Sequence, residues 1–155
     1  FRGTPLLVQA FFIYFGIPSA LGFQMSALSA GIITLSLNAG AYMTEIVRGG
    51  IQSVDPGQLE AARSLGLPYL TAMNKVVIPQ AIKIATPAFI NQFIITLKDT
   101  SLVAVIGLAE LTFQTQQLIA SNYRSELWLV AAALYFIVIS LLTLVSNYVD
   151  KKVNK

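Results

Sequence analysis

Cysteine and histidine are both missing from this sequence of 155 residues. Without them the chain has no disulfides, no thiolate nucleophile, no histidine-based catalysis and none of the usual zinc ligands. Charged residues are also scarce, since they make up 11% of the chain, whereas soluble domains carry roughly 25%. Together with the 55% of hydrophobic residues, this scarcity predicts a protein embedded in a membrane.

The sequence also lacks the glycine-rich G-x-x-x-x-G-K-[ST] loop that binds nucleotide phosphates, and it offers no paired carboxylates for acid–base catalysis. We therefore predict that the chain is not an enzyme, and that any ATP that drives it is hydrolysed by another chain. No cofactor, metal ion or nucleic acid partner is predicted. The composition predicts that the chain is surrounded by membrane lipid.

Four apolar stretches are long enough, or nearly so, to cross a hydrocarbon core of roughly 30 Å as helices. They predict an all-α membrane protein, a bundle of about four transmembrane helices in a single domain over residues 1–155. The stretches are residues 6–21, 27–47, 80–97 and 127–145. Residues 112–126 are polar and are predicted to form an external loop, with or without a helical turn. Because the chain begins at Phe1 in the middle of a pattern, we expect further residues before it.

Four polar residues interrupt the apolar pattern after the third stretch: Lys98, Asp99, Thr100 and Ser101. We call them gate segment 98–101. The favoured interpretation is a helix break followed by a short helix or a partly re-entrant segment, because residues 102–111 are too short to cross alone. The alternative is one long span over residues 88–111, which would place two adjacent charges inside the bilayer. The break would form part of an outer gate beside a water-filled vestibule, or it is an ordinary helix end.

A second polar stretch, loop 58–79, lies between the second and third spans and predicts two short helices joined by a turn. Asp55 suits the N-cap of the first helix, residues 58–65, and Gly66 suits its left-handed C-terminus. Pro68 prevents simple continuation, and the second helix is predicted over residues 69–77, ending before Pro79. This pair of helices either packs on its own bundle or needs a partner to cover its apolar face.

Lysine and arginine are distributed unevenly between the two sides of the predicted bundle. With four crossings, one side holds eight of these residues, and the other holds Arg124 with Lys98 near it. The positive-inside rule then places loop 58–79 and both visible termini in the cytoplasm. The eight residues are Arg2, Arg48, Arg63, Lys75, Lys83, Lys151, Lys152 and Lys155.

Loop 58–79 resembles the signature loop of ABC importer permeases, which docks into a groove on the ATPase subunit. That family's pattern is Glu-Ala-Ala, three residues, Gly, nine residues and then Ile-x-Leu-Pro. Every spacing holds here, with two conservative replacements in the final motif. The matching residues are Glu60, Ala61, Ala62, Gly66, Val76, Ile78 and Pro79.

Four further stretches look like the polar amino acid permeases of this superfamily, the histidine, glutamine and arginine type: residues 1–9, 37–42, 45–51 and 97–102. The resemblance implies a bacterial inner-membrane importer that alternates access as ATPase subunits close. It also implies a second permease subunit, identical or different, and an external, periplasmic solute-binding protein. Such permeases have about five spans, so one N-terminal span is expected to be missing.

Two rival classes of function stay open beside the importer. A secondary transporter also builds midplane sites from polar residues and broken helices, but the internal symmetry it would carry is not visible. A channel subunit or a membrane scaffold would need no loop 58–79. Uptake that depends on ATP and on a binding protein would separate the importer from both rivals.

Two amides lie deep in the predicted bundle and mark a candidate substrate pathway. Asn38 is the amide within the second span, and Gln92 lies twelve residues after Gln80, which is about 18 Å along a helix. We predict that the two meet near the midplane, where amides can bind both the ammonium and the carboxylate of an amino acid. The alternative is a hydrogen bond that only holds two helices together. A neutral Gln92 favours a neutral or mixed polar substrate.

Overall fold

The computed structural model describes residues 2–153, and within that range the chain is helical without any strand. Six helices follow one another along these residues, which confirms the predicted all-α class. They are α1 (Leu6–Leu21), α2 (Ala27–Gln52), α3 (Pro56–Ser64), α4 (Tyr69–Ile106), α5 (Leu111–Asn122) and α6 (Leu127–Val153).

Two of these helices are long and apolar enough to cross a membrane by length and composition, namely α4 and residues Leu127–Lys151 of α6. Helix α1 is apolar but shorter. Helix α2 has 26 residues, which gives a length of about 39 Å. All four helices occupy the positions predicted for the apolar stretches, and α2, α4 and α6 extend beyond the predicted bounds.

Helix α1 continues through Pro18, and α4 continues through Pro79, where the sequence predicts an end. In both, a five-residue π-helical turn stands just before the proline: Phe12–Gly16 precedes Pro18, and Met73–Val77 precedes Pro79. A proline donates no hydrogen bond and crowds the carbonyl four residues earlier. A π turn bonds five residues apart instead of four, which relieves that conflict locally. The prediction that the second short helix ends before Pro79 is therefore wrong, because that helix is the first part of α4.

The centre of the bundle is the pair α2 and α4, which make the most extensive contact, and α6 also packs against α4. Small residues allow the close approach of α2 and α4. A side chain at Gly50 would meet the carbonyl oxygen of Ala81 at 2.9 Å and the Cβ of Ala85 at 3.0 Å. Small residues at helix contacts are typical of membrane bundles, where backbones approach closely.

Two hydrophobic clusters fix opposite parts of the bundle. One joins α1 and α2 to the last turns of α4, through Ala10, Ile13, Ala30, Val103 and Ile106. The other joins the end of α2 to the first half of α4, through Val54, Val77 and Ala81, with Leu59 of α3 packed against it. The second cluster is what positions loop 58–79 on the bundle.

Residues 112–126 contain more helix than the single turn that the sequence allows for, because residues 111–122 form α5, which packs against α6. Glu110 caps this helix, and its carboxylate accepts hydrogen bonds from the backbone N–H groups of Thr112 and Phe113. The start of α5 lies beside Tyr135, eight residues into α6, and its end connects through four residues to Leu127. Helices α5 and α6 are therefore an antiparallel pair.

Candidate functional site

Both ends of α3, the first helix of loop 58–79, are formed as their residue types predict. Asp55 is the N-cap, and its Oδ1 accepts a hydrogen bond of 2.8 Å from Gly57 N. At the other end Gly66 has a φ of 85°, a conformation that glycine adopts without the strain of a side chain. Gly66 N donates to Arg63 O and Leu67 N donates to Ala62 O, the pattern of a Schellman motif. The turn after α3 is thus fixed by backbone hydrogen bonds.

The surface of loop 58–79 that faces away from the bundle carries apolar side chains, and no other part of residues 2–153 covers them. Leu65 is 84% exposed and Leu70 is 72% exposed. Tyr69 is exposed beside them, with the guanidinium of Arg63 over its ring at 6.0 Å. The apolar face of α3 is covered only in part by the bundle. Ala62 is buried and Leu59 packs on the bundle, whereas Leu65 stays exposed.

The residues that match the importer pattern occupy distinct positions in this loop. Ala62 faces the bundle, whereas Glu60 and Ala61, one helical turn before the exposed Leu65, are exposed. Gly66 forms the turn, and Ile78 and Pro79 lie in α4 directly after its π turn. The pattern therefore marks a helix, a turn and the entry into the central helix of the bundle.

Charged side chains cluster at the same end of α2. Glu45 pairs with Arg48 one turn later, and also with Arg2, whose Nη1 lies 3.1 Å from Glu45 Oε2. The guanidinium of Arg2 stands 5.7 Å from the centre of the Tyr42 ring. These contacts attach the segment before α1 to α2.

The two amides of the candidate pathway are both buried, on helices that pack together. Each makes its hydrogen bond elsewhere: Asn38 Nδ2 donates to Gln9 Oε1 at 3.1 Å, and Gln92 Nε2 donates to Thr96 Oγ1 at 3.3 Å. No hydrogen bond joins Asn38 to Gln92 within residues 2–153. The meeting of Asn38 and Gln92 near the midplane stays a prediction, and in the structure each of the two amides donates its hydrogen bond to another side chain.

Gln9 belongs to this polar region, although its position near the start of the chain did not single it out. It is buried, and its Nε2 donates to Thr4 O at 3.0 Å and to Thr4 Oγ1 at 2.9 Å. The one available signal was its place as the sole strongly polar residue in an apolar span. The cavity of about 400 Å³ beside it has mostly apolar walls, among them Val8, Ile13 and Leu37.

Gate segment 98–101 marks a change of helix type rather than an interruption. The α-helical part of α4 ends at Asp99, and a 3₁₀ helix follows over Thr100–Ile106. The hydroxyls of Thr100 and Ser101 donate to carbonyls three residues earlier, at 2.7 and 2.8 Å. Lys98 is exposed and Asp99 is half-buried. The predicted short helix after residue 101 is present, continuous with α4, and it ends at Gly107, whose φ is 82°.

The far end of the α5 and α6 pair also carries charge. Between the two helices, Arg124 Nε donates to Glu126 Oε1 at 2.8 Å. This hydrogen bond lowers the pKa of the Glu126 carboxyl below its ordinary value.

Glu110 is a second carboxylate that the sequence reasoning missed, and it binds the hydroxyl of Tyr135 at 2.8 Å. Its lone acidic charge within an apolar run was the signal that could have found it.

Comparison with known proteins gives one consistent result. The family described as binding-protein-dependent transport system inner membrane component matches residues 1–155. The arginine transport system permease protein ArtQ of Bacillus subtilis (strain 168) is 40% identical over 153 residues, which are 98% of this chain and 70% of that protein. The glutamine transport system permease protein GlnP of Escherichia coli (strain K12) is also 40% identical, over 97% of this chain and 70% of that protein.

A solved structure, described as the crystal structure of an amino acid ABC transporter with histidines, has the same fold. It superposes with a TM-score of 0.93 at 45% sequence identity. The match covers 97% of this chain and 71% of that one.

Proposed function

Since the chain belongs to the family of binding-protein-dependent transport system inner membrane components, we propose that it is the permease subunit of an importer that carries polar amino acids into a bacterium. ATP is hydrolysed by a separate ATPase subunit. A second permease subunit completes the pathway, and a solute-binding protein delivers the substrate from outside. Support for amino acids as substrates comes from the relatives, which are named for arginine, glutamine and amino acid transport.

The observation that carries this proposal is the form of loop 58–79. It exposes the side chains of Leu65, Tyr69 and Leu70 on its surface, at a turn that is fixed by backbone hydrogen bonds. Exposed apolar side chains rimmed by polar residues mark a surface that binds another protein. The partner proposed for it is the ATPase subunit.

Loop 58–79 is joined to the bundle so that a movement of the loop is transmitted to the central helix. Its second half is the start of α4, the helix that contacts both α2 and α6. A push on Leu70 would therefore act on the central helix directly rather than through a flexible linker. The π turn at Met73–Val77 lies between the exposed surface and the membrane part of α4, and π turns occur often at functional sites.

The proposed topology places loop 58–79 and both ends of the chain in the cytoplasm, with α5 at the outer side of the membrane. Basic residues support it, because Arg2, Arg48, Arg63 and Lys75 lie toward the loop end of the bundle. In this arrangement gate segment 98–101 lies toward the outside as part of an outer gate. Asn38, Gln9 and Gln92 are proposed to contact the substrate or to hold the helices around it.

Site-specific crosslinking tests the proposal, and the absence of native cysteine makes it clean. Leu65→Cys in the assembled complex should crosslink to the ATPase subunit, and the yield should change when ATP binds. Ser121→Cys is the matched control, because Ser121 is exposed but lies at the end of α5. Equal crosslinking of both positions, or none from position 65, would contradict the proposed docking surface.

A further inference from the structure

A chain of hydrogen bonds ties α6 to the beginning of α5. The carboxylate of Glu110 accepts from Phe113 N at 2.6 Å through Oε1 and from Thr112 N at 2.8 Å through Oε2. Its Oε2 also accepts from the Tyr135 hydroxyl at 2.8 Å. A tyrosine hydroxyl has a single proton, and this contact uses it. The 3.1 Å contact between Thr112 Oγ1 and Tyr135 Oη is therefore donated by Thr112.

These hydrogen bonds lie well inside the bundle, where polar groups need partners. Tyr135 stands eight residues after Leu127, the first residue of α6, which is about 12 Å along the helix. A carboxyl group at such a depth is costly unless hydrogen-bond partners surround it. Three donors do so here, and the Tyr135 hydroxyl is the one that comes from a different helix.

The residues joined by these hydrogen bonds follow gate segment 98–101 closely along the backbone. The 3₁₀ helix that begins at Thr100 ends at Ile106, Gly107 turns the chain, and Glu110 follows three residues later. One side of this segment is held by hydrophobic packing, since Val103 and Ile106 are buried against α1 and α2. A hold on the other side comes from the hydrogen bond between Glu110 and Tyr135.

We infer that Tyr135 is a positioning residue for the outer gate. Its hydroxyl holds Glu110, and thereby holds the turn after the gate segment against α6. This inference rests on the proposed function, in which gate segment 98–101 opens toward the outside. Without the hydroxyl, the 3₁₀ helix keeps its hydrophobic anchor but loses the attachment of its other end, so the gate opens more readily.

Tyr135→Phe tests the inference, because it removes the hydroxyl and keeps the ring. Tyr148→Phe is the matched control, since it makes the same chemical change at an exposed position on the same helix. Both changes are made in the full complex in proteoliposomes, in a background that carries Ser101→Cys. The measurements are the rate of labelling by an impermeant thiol reagent, with and without ATP, and the number of ATP molecules hydrolysed per amino acid transported.

We expect Tyr135→Phe to raise the labelling rate without nucleotide by up to about tenfold, the size expected when one hydrogen bond is lost. The difference between the rates with and without ATP should shrink, and more ATP should be hydrolysed per amino acid. Tyr148→Phe should match the parent. Thr112→Val, which keeps the backbone N–H to Glu110, should act more weakly and add nothing to Tyr135→Phe, because the two belong to one chain of bonds.

Equal labelling rates and equal ATP ratios for Tyr135→Phe and Tyr148→Phe would overturn the inference. It would also be overturned if Tyr135→Phe only lowered the amount of protein in the membrane, with labelling unchanged. A parent complex without ATP-dependent uptake would instead refute the proposed function. The labelling rate without nucleotide still decides the role of Tyr135 in that case.

Discussion

Gly50 lies on α2 where the backbone of α4 passes within contact distance, and replacing it by alanine tests how closely these helices must pack. The new Cβ would stand 2.9 Å from the carbonyl oxygen of Ala81 and 3.0 Å from the Cβ of Ala85. The nearer of these atoms belongs to the backbone, so it cannot rotate away as a side chain would. The two helices would have to separate by several tenths of an ångström.

The size of the effect follows from two opposing contributions. Overpacking of a well-packed site costs about 1–3 kcal/mol. Alanine is a better helix former than glycine by up to about 1 kcal/mol. Gly50→Ala should therefore lower the free energy of unfolding by up to about 2 kcal/mol, and it should weaken transport because the α2–α4 contact carries the connection from loop 58–79.

Gly49→Ala is the matched control, because a Cβ at Gly49 meets no atom within 4 Å. It should leave stability unchanged or raise it by up to about 1 kcal/mol. The assay compares thermal unfolding of the two variants in the same detergent, together with uptake by the reconstituted complex. Equal stability and equal uptake for Gly49→Ala and Gly50→Ala would refute the tight crossing of α2 and α4.

Four further substitutions have expected outcomes. Gly66→Ala should strain the turn after α3, because alanine disfavours the φ of 85° by about 1–2 kcal/mol, and co-purification of the ATPase should fall while the permease stays in the membrane. Asn38→Leu and Gln92→Leu should reduce amino acid uptake yet leave basal ATP hydrolysis intact, and parental uptake in both variants would assign these amides to packing alone. Asp55→Ala should remove the cap bond to Gly57 and cost about 1 kcal/mol in a thermal unfolding assay.

The sequence was a good guide wherever a residue type has one dominant structural use. Asp55 and Gly66 were predicted as the ends of α3 because a short acidic side chain and a glycine suit those two positions. Apolar length located α1, α2, α4 and α6. The importer pattern in loop 58–79 was confirmed at the family level by the match over residues 1–155.

Errors arose where local signals compete with tertiary structure. Pro79 was read as a helix end, but the π turn before it lets α4 continue. The polar composition of residues 112–126 suggested a loop, yet Glu110 caps a helix that packs on α6. Depth in the bundle does not reveal hydrogen-bond partners either, since Asn38 bonds to Gln9 and Gln92 bonds to Thr96, and the pairing of the two amides stays a prediction. Such choices depend on side-chain geometry between helices, which a single sequence does not contain.

The most direct test of the account is uptake of labelled arginine and glutamine into proteoliposomes that contain this permease, its ATPase subunit and the solute-binding protein. We expect accumulation of at least one amino acid that requires ATP and stops when either partner is left out. Uptake driven by an ion gradient without ATP would identify a secondary transporter. Downhill flux without the ATPase or the binding protein would identify a channel, and either result would contradict the importer.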